Sequence, residues 1–377
     1  MSELEQDEIG FLAHFGRLED PRQSAKTLYP LSEVLLVSLC AVICGADSWV
    51  EVSTFGKMKL DFLRRFLPFK DGVPSHDTFG DVFAALDPEA FRDCFVAWTA
   101  SLARHIEGVV AIDGKTLRRS FDRANGQAAI HMVSAWSSSQ HLVLGQEKVA
   151  EKSNEITAIP KLLDLLSLKG AIVTIDAIGC QTAIAQKIVD KDADYVLALK
   201  GNQGTLHRDI ALFFNEQVGR DFADARFDHH ATVDADHGRI EERDCWVTDD
   251  IAWLRELHDD WPALRSIVMI HAQRTLNGET STETRYFISS LAPNARQLAA
   301  AVRAHWGIEN RLHWVLDMTF REDESRIRKD NAPANASILK HMALNMLKKT
   351  PSRRSIRLKR KSAGWDNEFL KSILMAA

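Results

Sequence analysis

The sequence predicts an α/β fold: a β-β-β-α-β-α-β core, preceded by a helical domain and later interrupted by a mostly β insertion. Three observations predict it. Apolar residues keep helical spacing up to about residue 104, the period shortens to that of strands at Val109, and helical spacing returns at Asn294. At 377 residues, 45% of them apolar and 26% charged, the chain has a globular composition. It can bury a large core divided among two or three structural units.

The first unit, residues 1–104, reads as helices. Leu31 to Ile43 is a buried helix that starts after Pro30, and Trp49 to Phe66 is amphipathic, with Val52, Phe55, Met58, Phe62 and Phe66 at three- and four-residue steps. Ser75 or Asp77 caps the next helix, and Val82 to Leu102 holds one or two more. Val34 to Ala46 is an apolar run too short to span a membrane and right for a core helix.

Residues 105–205 form the first part of the core. Val109–Ile112, Ala128–Trp136 and His141–Lys148 read as strands, the last two joined by the polar turn at Ser137–Gln140. Ser153 and Asn154 cap a helix from Glu155 to Leu168. A strand at Ala171–Ile175, a helix at Gln181–Lys191 and a strand at Tyr195–Leu199 follow, the last stopped by Gly201 and Asn202. A three-stranded meander followed by crossover strands is the order of the ribonuclease-H-like fold. Residues 206–291 alternate in short runs (Asp244–Val247, Ile267–His271, Arg285–Ser289) and read as the mostly β insertion, with a helix at Ile251–Leu257. Residues 292–350 return to helix and complete the core, and 351–377 form a basic tail.

The net charge of −5 and pI near 6.3 give the whole molecule no general affinity for nucleic acid. The charge is unevenly spread. Glu3, Glu5, Asp7 and Glu8 open the chain, whereas Lys340 to Lys361 holds nine Lys or Arg and no acid, either a phosphate contact or a solvated end. Cys40, Cys44, Cys94, Cys180 and Cys245 form no CxxC pair and no zinc-ligand spacing, which excludes a disulfide scaffold and fits a reducing cytoplasm.

The candidate chemistry lies in three acids. Asp113 and Asp176 each end an apolar run finishing in Ile-Asp, where a side chain can point from a sheet into a cleft. Glu309 sits in the stripe Leu298, Val302, His305, Glu309, Leu312, Leu316, with His305 and His313 as alternative ion-pair partners. Asp317 is the rival acid, about 80° around a regular helix from Glu309. Acids entering a core from separate elements require pairing or a cation, and all-oxygen ligation suits Mg²⁺ or Mn²⁺ rather than zinc. Asp113-Gly-Lys-Thr116 looks like the end of a phosphate-binding loop. Val109 stands where that loop needs glycine, which excludes a P-loop NTPase. Lys115, Arg118, Arg119 and Arg123 after the first acid, Lys200 and Asn202 after the last core strand, and Arg326, Arg328 and Lys329 after the Glu309 helix place positive charge around the acids. Trp306 and Trp314 are either base-stacking or core residues.

Longer motifs carry a family resemblance. Val109-Val-Ala-Ile-Asp113-Gly-Lys-Thr, Lys152-Ser-Asn-Glu-Ile-Thr-Ala-Ile-Pro, Thr174-Ile-Asp176-Ala, Tyr195 to Gln203, His237-Gly-Arg-Ile-Glu and His305 to Asp317 resemble DDE transposases of bacterial insertion sequences, in particular the H-repeat-associated proteins. Pro74-Ser-His-Asp-Thr-Phe resembles the helical domain that accompanies them. The resemblance implies Asp113, Asp176 and Glu309 as catalytic, metal-binding acids and Mg²⁺ (or Mn²⁺) as cofactor. It also implies double-stranded DNA as partner (element ends and target), a homodimer on DNA, no membrane, and a cytoplasmic, nucleoid-associated protein. Lys115, Arg118, Arg119, Lys200, Asn202, Arg326 and Lys329 are the expected DNA contacts. The implied reaction is metal-dependent phosphodiester hydrolysis at element ends, then strand transfer. A nuclease without strand transfer and a non-catalytic DNA-binding remnant are the alternatives. The tyrosine, arginine and lysine that the wider superfamily places around the glutamate are absent: Val302, His305 and Leu316 stand there.

Overall fold

In the computed structural model, residues 10–376 are described apart from 104, 123–125, 151–152 and 237. Arg123, Lys152, His237 and the acidic N-terminus therefore lie outside the described residues. Nine strands form one sheet: β1 (Gly108–Thr116), β2 (His131–Ser137), β3 (Leu142–Lys148), β4 (Ala171–Ile175), β5 (Asp194–Leu199), β6 (Asp228–Asp236), β7 (Arg239–Thr248), β8 (Ser266–Leu276) and β9 (Glu279–Ser289). Their spatial order is β3-β2-β1-β4-β5-β9-β8-β7-β6. β1, β4 and β5 run parallel and all other pairings are antiparallel.

The insertion is less separate than the sequence suggested. β9 pairs with β5, so β6–β9 continue the core sheet rather than forming a second one. The insertion also opens with a 15-residue helix, Gly204–Val218, where short β runs were expected. Leu206, Ile210, Phe214 and Gln217 form its buried stripe. With helices Glu155–Leu165, Thr182–Val189 and Ala252–Leu257 it covers one sheet face. Helix Ala295–Ile308 covers the other, burying Ala295, Leu298, Ala301 and Val302 against Val196, Val247, Val268 and Phe287.

The helical units share one core. Leu31–Cys44 packs against Ala332–Lys349, a helix buried along nearly its whole length. At roughly 1.5–3 kcal/mol for each fully buried large apolar side chain, this contact ties the N-terminal helices to the chain's end. The expected amphipathic stretch Trp49–Phe66 is two helices, Trp49–Met58 and Leu60–Leu63, broken at Lys59. Asp87-Pro88 separates His76–Ala85 from Pro88–Leu102, and Ser75 caps the former by accepting from the Thr78 amide. Among the described residues no single helix is long and apolar enough to cross a membrane.

The expected basic tail is not a tail. Residues 351–376 contain two helices, Ile356–Trp365 and Asn367–Met375, whose Ala363, Leu370, Ile373 and Leu374 join the helical core. Three of the counted cations are buried there: Lys340, Lys359 and Arg360. Lys359 Nζ donates to the carbonyls of Leu347 (2.7 Å) and Thr350 (2.8 Å), closing the end of helix Ala332–Lys349. Arg360 donates to Val42 and Thr319 carbonyls and lies over the Phe320 ring. These charges satisfy helix ends, so they are not available to phosphates.

Candidate metal centre

β1 pairs with β4 up to Ile112 opposite Ile175. The next residue on each strand is an aspartate, so Asp113 and Asp176 emerge side by side, about one strand spacing apart, where the parallel ladder ends. Asp176 Oδ1 accepts from the amides of Ile178 (3.0 Å) and Gly179 (3.4 Å), capping the short turn Ala177–Gly179. Asn202 Nδ2 donates to the Ala177 carbonyl (2.6 Å) and Gln203 to that of Cys180, which fastens the loop after β5 to the Asp176 turn. Asn202 is thus a brace for the acid.

The third acid arrives from the helix that crosses the sheet. Ala295–Ile308 contacts β1 and β4, and His305 Nδ1 lies 3.0 Å from Thr174 Oγ1. At Glu309 the helix widens into a π-turn, Glu309–His313, before continuing as Trp314–Phe320. Such widened turns concentrate at functional sites. Here Glu309 and His313 both face Asp113. His313 Nδ1 is 3.7 Å from Asp113 Oδ2 and 3.7 Å from Glu309 Oε1. Ligand atoms of Asp113, Glu309 and His313 fall within 4.8 Å of one another.

This set differs from the one read in the sequence. The sequence expected Asp113, Asp176 and Glu309 as ligands and His313 only as an ion-pair partner. Asp176 lies outside the 4.8 Å group, with Oδ1 turned toward two amides, and the buried His313 lies within it. Glu309 is exposed, and Asp113 and Asp176 are half-buried, because the strand ends open into a cleft rather than the core. Burial pushes the Asp113 carboxyl up to about 6. His313 and the Gly114 amide oppose that shift, while the charges of Glu309 and Asp176 add to it. His313 holds Glu309 below the usual carboxylate range, outweighing its partial burial. Burial also pulls His305 down, toward the neutral imidazole.

The expected DNA contacts separate into spent and free groups. Lys115 is spent: its Nζ meets Asp317 (2.7 Å), Asp323 (3.1 Å) and Glu322 (3.3 Å). That contact also accounts for Asp317, the rival acid. Arg118 is exposed and reaches Asp323 at 3.2 Å, and Lys329 is exposed and pairs with Asp81 at 2.7 Å. Arg119, Lys200 and Arg326 are exposed. Arg328 lies over the Phe121 ring. Trp306 and Trp314 are half-exposed, so neither is a core residue.

A larger basic feature escaped the sequence reading. Beside helix Ala295–Ile308, the outer sheet forms one wall of a cleft of about 1060 Å³. Strand side chains alternate between faces. Arg239 and Arg243 of β7, Arg274 of β8 and Arg285 of β9 all share the parity that faces this cleft. The opposite face shows Glu242, Asp244, His271, Gln273 and Thr284 at the alternate positions, with no Lys or Arg among them. Arg296, Arg303 and Arg311 complete the lining from the helical side. Asp234, Glu241 and Glu283 answer part of this charge. Arg285 stacks on the exposed Trp306, one turn before Glu309, and the lining reaches Asn310 and Arg311, the two residues that follow that acid in the chain. Parity of arginines across the strands was the available signal, but β6 and most of β7 were not recognised as strands.

Comparison with known proteins agrees with this architecture. The family described as Transposase DDE domain matches residues 104–346, and DDE_Tnp_1-associated matches residues 12–99. The chain belongs to the DDE transposase family. Within it, the similarity is to H-repeat-associated proteins. "Putative transposase YncI" of Escherichia coli O157:H7 is 41% identical over 368 residues, covering 96% of this chain and 94% of its own length. "H repeat-associated putative transposase YhhI" of Escherichia coli (strain K12) is 39% identical over 369 residues, 96% and 97% of the two chains. "Inactive transposase YbfQ" of the same strain is 41% identical over 71 residues, 19% of this chain and 84% of that one.

Proposed function

We propose that the chain is a DNA transposase that hydrolyses phosphodiesters at element ends and joins the freed strand to target DNA. The observation that carries this reading is the meeting of Asp113 and Glu309, from different elements, with no Lys or Arg among the described residues paired to either and Asp176 beside them. Acids so placed call for a divalent cation. Mg²⁺ or Mn²⁺, when bound, would activate the attacking oxygen and stabilise the leaving one.

In this reading the strand order β3-β2-β1-β4-β5 is that of a ribonuclease-H-like core, residues 105–205 and 292–350, with an N-terminal helical domain and the β6–β9 region as an insertion. Asp113 sits centrally between Asp176 and Glu309 and holds the reacting phosphate's cation. Asp176 keeps one oxygen free while the other accepts the Ile178 amide. Glu309, exposed at the cleft, completes the shell. The arginine-lined cleft holds the DNA backbone, in place of Lys115. In the first step a water oxygen bonds to phosphorus as the P–O3′ bond breaks, leaving a 3′-hydroxyl and a 5′-phosphate. In the second, that 3′-hydroxyl attacks a target phosphodiester and a target 3′-oxygen leaves. Two ends cut together require a homodimer on DNA.

Incubating the protein with element-end duplex and target plasmid tests the reading. Wild type is expected to give nicked ends and joined products, both lost in Asp113→Asn, Asp176→Asn and Glu309→Gln. Nicks without joined strands would indicate a nuclease, and metal-independent binding without turnover a remnant. Full activity in any one variant removes that residue from the centre.

A further inference from the structure

His313 is buried, only 4% exposed, and among the described residues no group lies within hydrogen-bonding distance of its Nε2. Nε2 meets no partner, and Nδ1 faces two carboxylate oxygens, each 3.7 Å away. That separation is too long for a hydrogen bond. It lies just above the spacing of atoms that share one ion, since donors about 2.1 Å from a cation stand roughly 3.0–3.6 Å from each other, so a small inward movement would close the shell. A buried imidazole whose Nδ1 faces two carboxylates at that separation is costly unless a cation between them accepts its lone pair. The π-turn supplies the geometry, because it turns Glu309 and His313 together toward Asp113.

We infer that His313 is itself a metal ligand through Nδ1, so the centre is a mixed carboxylate–imidazole site that favours Mn²⁺ over Mg²⁺. The inference rests on the metal-dependent reading above. Mg²⁺ is hard and takes oxygen donors, whereas imidazole nitrogen favours first-row transition ions. His305 is the nearby alternative donor, but its Nδ1 is engaged by Thr174 Oγ1 at 3.0 Å. An all-oxygen site, expected from the three acids alone, would not discriminate in this way.

The test uses full-length protein loaded with Mn²⁺ and read by electron spin-echo envelope modulation, which detects directly bound nitrogen without reference to activity. Wild type is expected to show strong ¹⁴N modulation that changes to the ¹⁵N pattern when only histidine is ¹⁵N-labelled. This readout needs no substitution and so does not depend on a variant folding. His313→Gln is expected to lose the signal and to weaken Mn²⁺ binding at least about tenfold while Mg²⁺ binding changes little; His305→Gln is expected to keep the signal. Bound Mn²⁺ without nitrogen coupling in wild type overturns the inference and leaves the hydrolytic reading standing. A signal that persists in His313→Gln, or that vanishes in His305→Gln, also overturns it. Failure to bind either cation removes both readings.

Discussion

Two groups of acids flank the π-turn, and they differ in what answers their charge. On one side Asp113 and Glu309 face an imidazole, with Asp176 nearby and, among the described residues, no Lys or Arg paired to Asp113 or Glu309. On the other, Asp317, Glu322 and Asp323 converge on Lys115, and Lys340 adds a second buried cation beside Glu322. Lys340 and Lys115 hold Glu322 below its ordinary range although burial alone would raise it. Burial dominates at Asp113 and raises it to about 6. The same residue type is structural where the chain supplies its counter-charge and available for chemistry where it does not.

The largest effect is expected at the uncompensated side. Asp113→Asn should lower DNA cleavage by about 10³-fold or more, the loss of several kcal/mol of transition-state stabilisation. Its metal-free stability in denaturant should hold or rise, because repulsion is relieved. At the compensated side the order reverses. Lys115→Met should lower stability in urea unfolding by about 1–3 kcal/mol, since it leaves the buried Glu322 with Lys340 alone and removes the counter-charge of the half-buried Asp317 and Asp323. An equally stable Lys115→Met protein would mean that the two clusters do not differ.

A pH series sharpens the contrast. Asp113 rises from its ordinary 3.8 to about 6, so between these values the folded chain holds a proton that the unfolded chain has released. Metal-free stability should therefore fall as pH rises through that window, by up to about 3 kcal/mol, and level off above it. Asp113→Asn should remove this slope. The smallest effect is expected in the cleft: Arg274→Ala with Arg296→Ala should reduce the slope of log affinity against log salt by about 2 for duplex DNA, one unit per lost phosphate contact. An unchanged slope would place the DNA elsewhere.

Much of the architecture was legible because it follows from period. Leu31–Cys44, the strands β4 and β5, and Asp176 at a strand end stand where apolar spacing placed them, whereas β1 runs on past Asp113 to Thr116 along β2, so that acid marks the end of the parallel ladder rather than of its strand. What was not legible depends on contacts distant in sequence. Lys115 was expected on DNA because nothing local shows that Asp317, Glu322 and Asp323 fold back onto it. Lys359 and Arg360 resembled a basic tail because their carbonyl partners lie 9 to 318 residues away. β6 alternates Ala231, Val233 and Ala235 with Thr232, Asp234 and Asp236, but two of the three apolar residues are alanines and all three are exposed, so no buried apolar face marked it as a strand.

The π-turn also sets a constraint on how the chain can change. Each residue added to or removed from a regular helix turns everything beyond it by about 100°. The widened turn at Glu309–His313 absorbs one residue of slack between two straight segments. Deleting a single residue there would leave an intact, well-formed helix. It would leave Trp314–Phe320, and with it Asp317 on Lys115, in place while changing how Glu309 and His313 are presented to Asp113, so a copy of this reading frame can lose its chemistry with its three acids all still written in it.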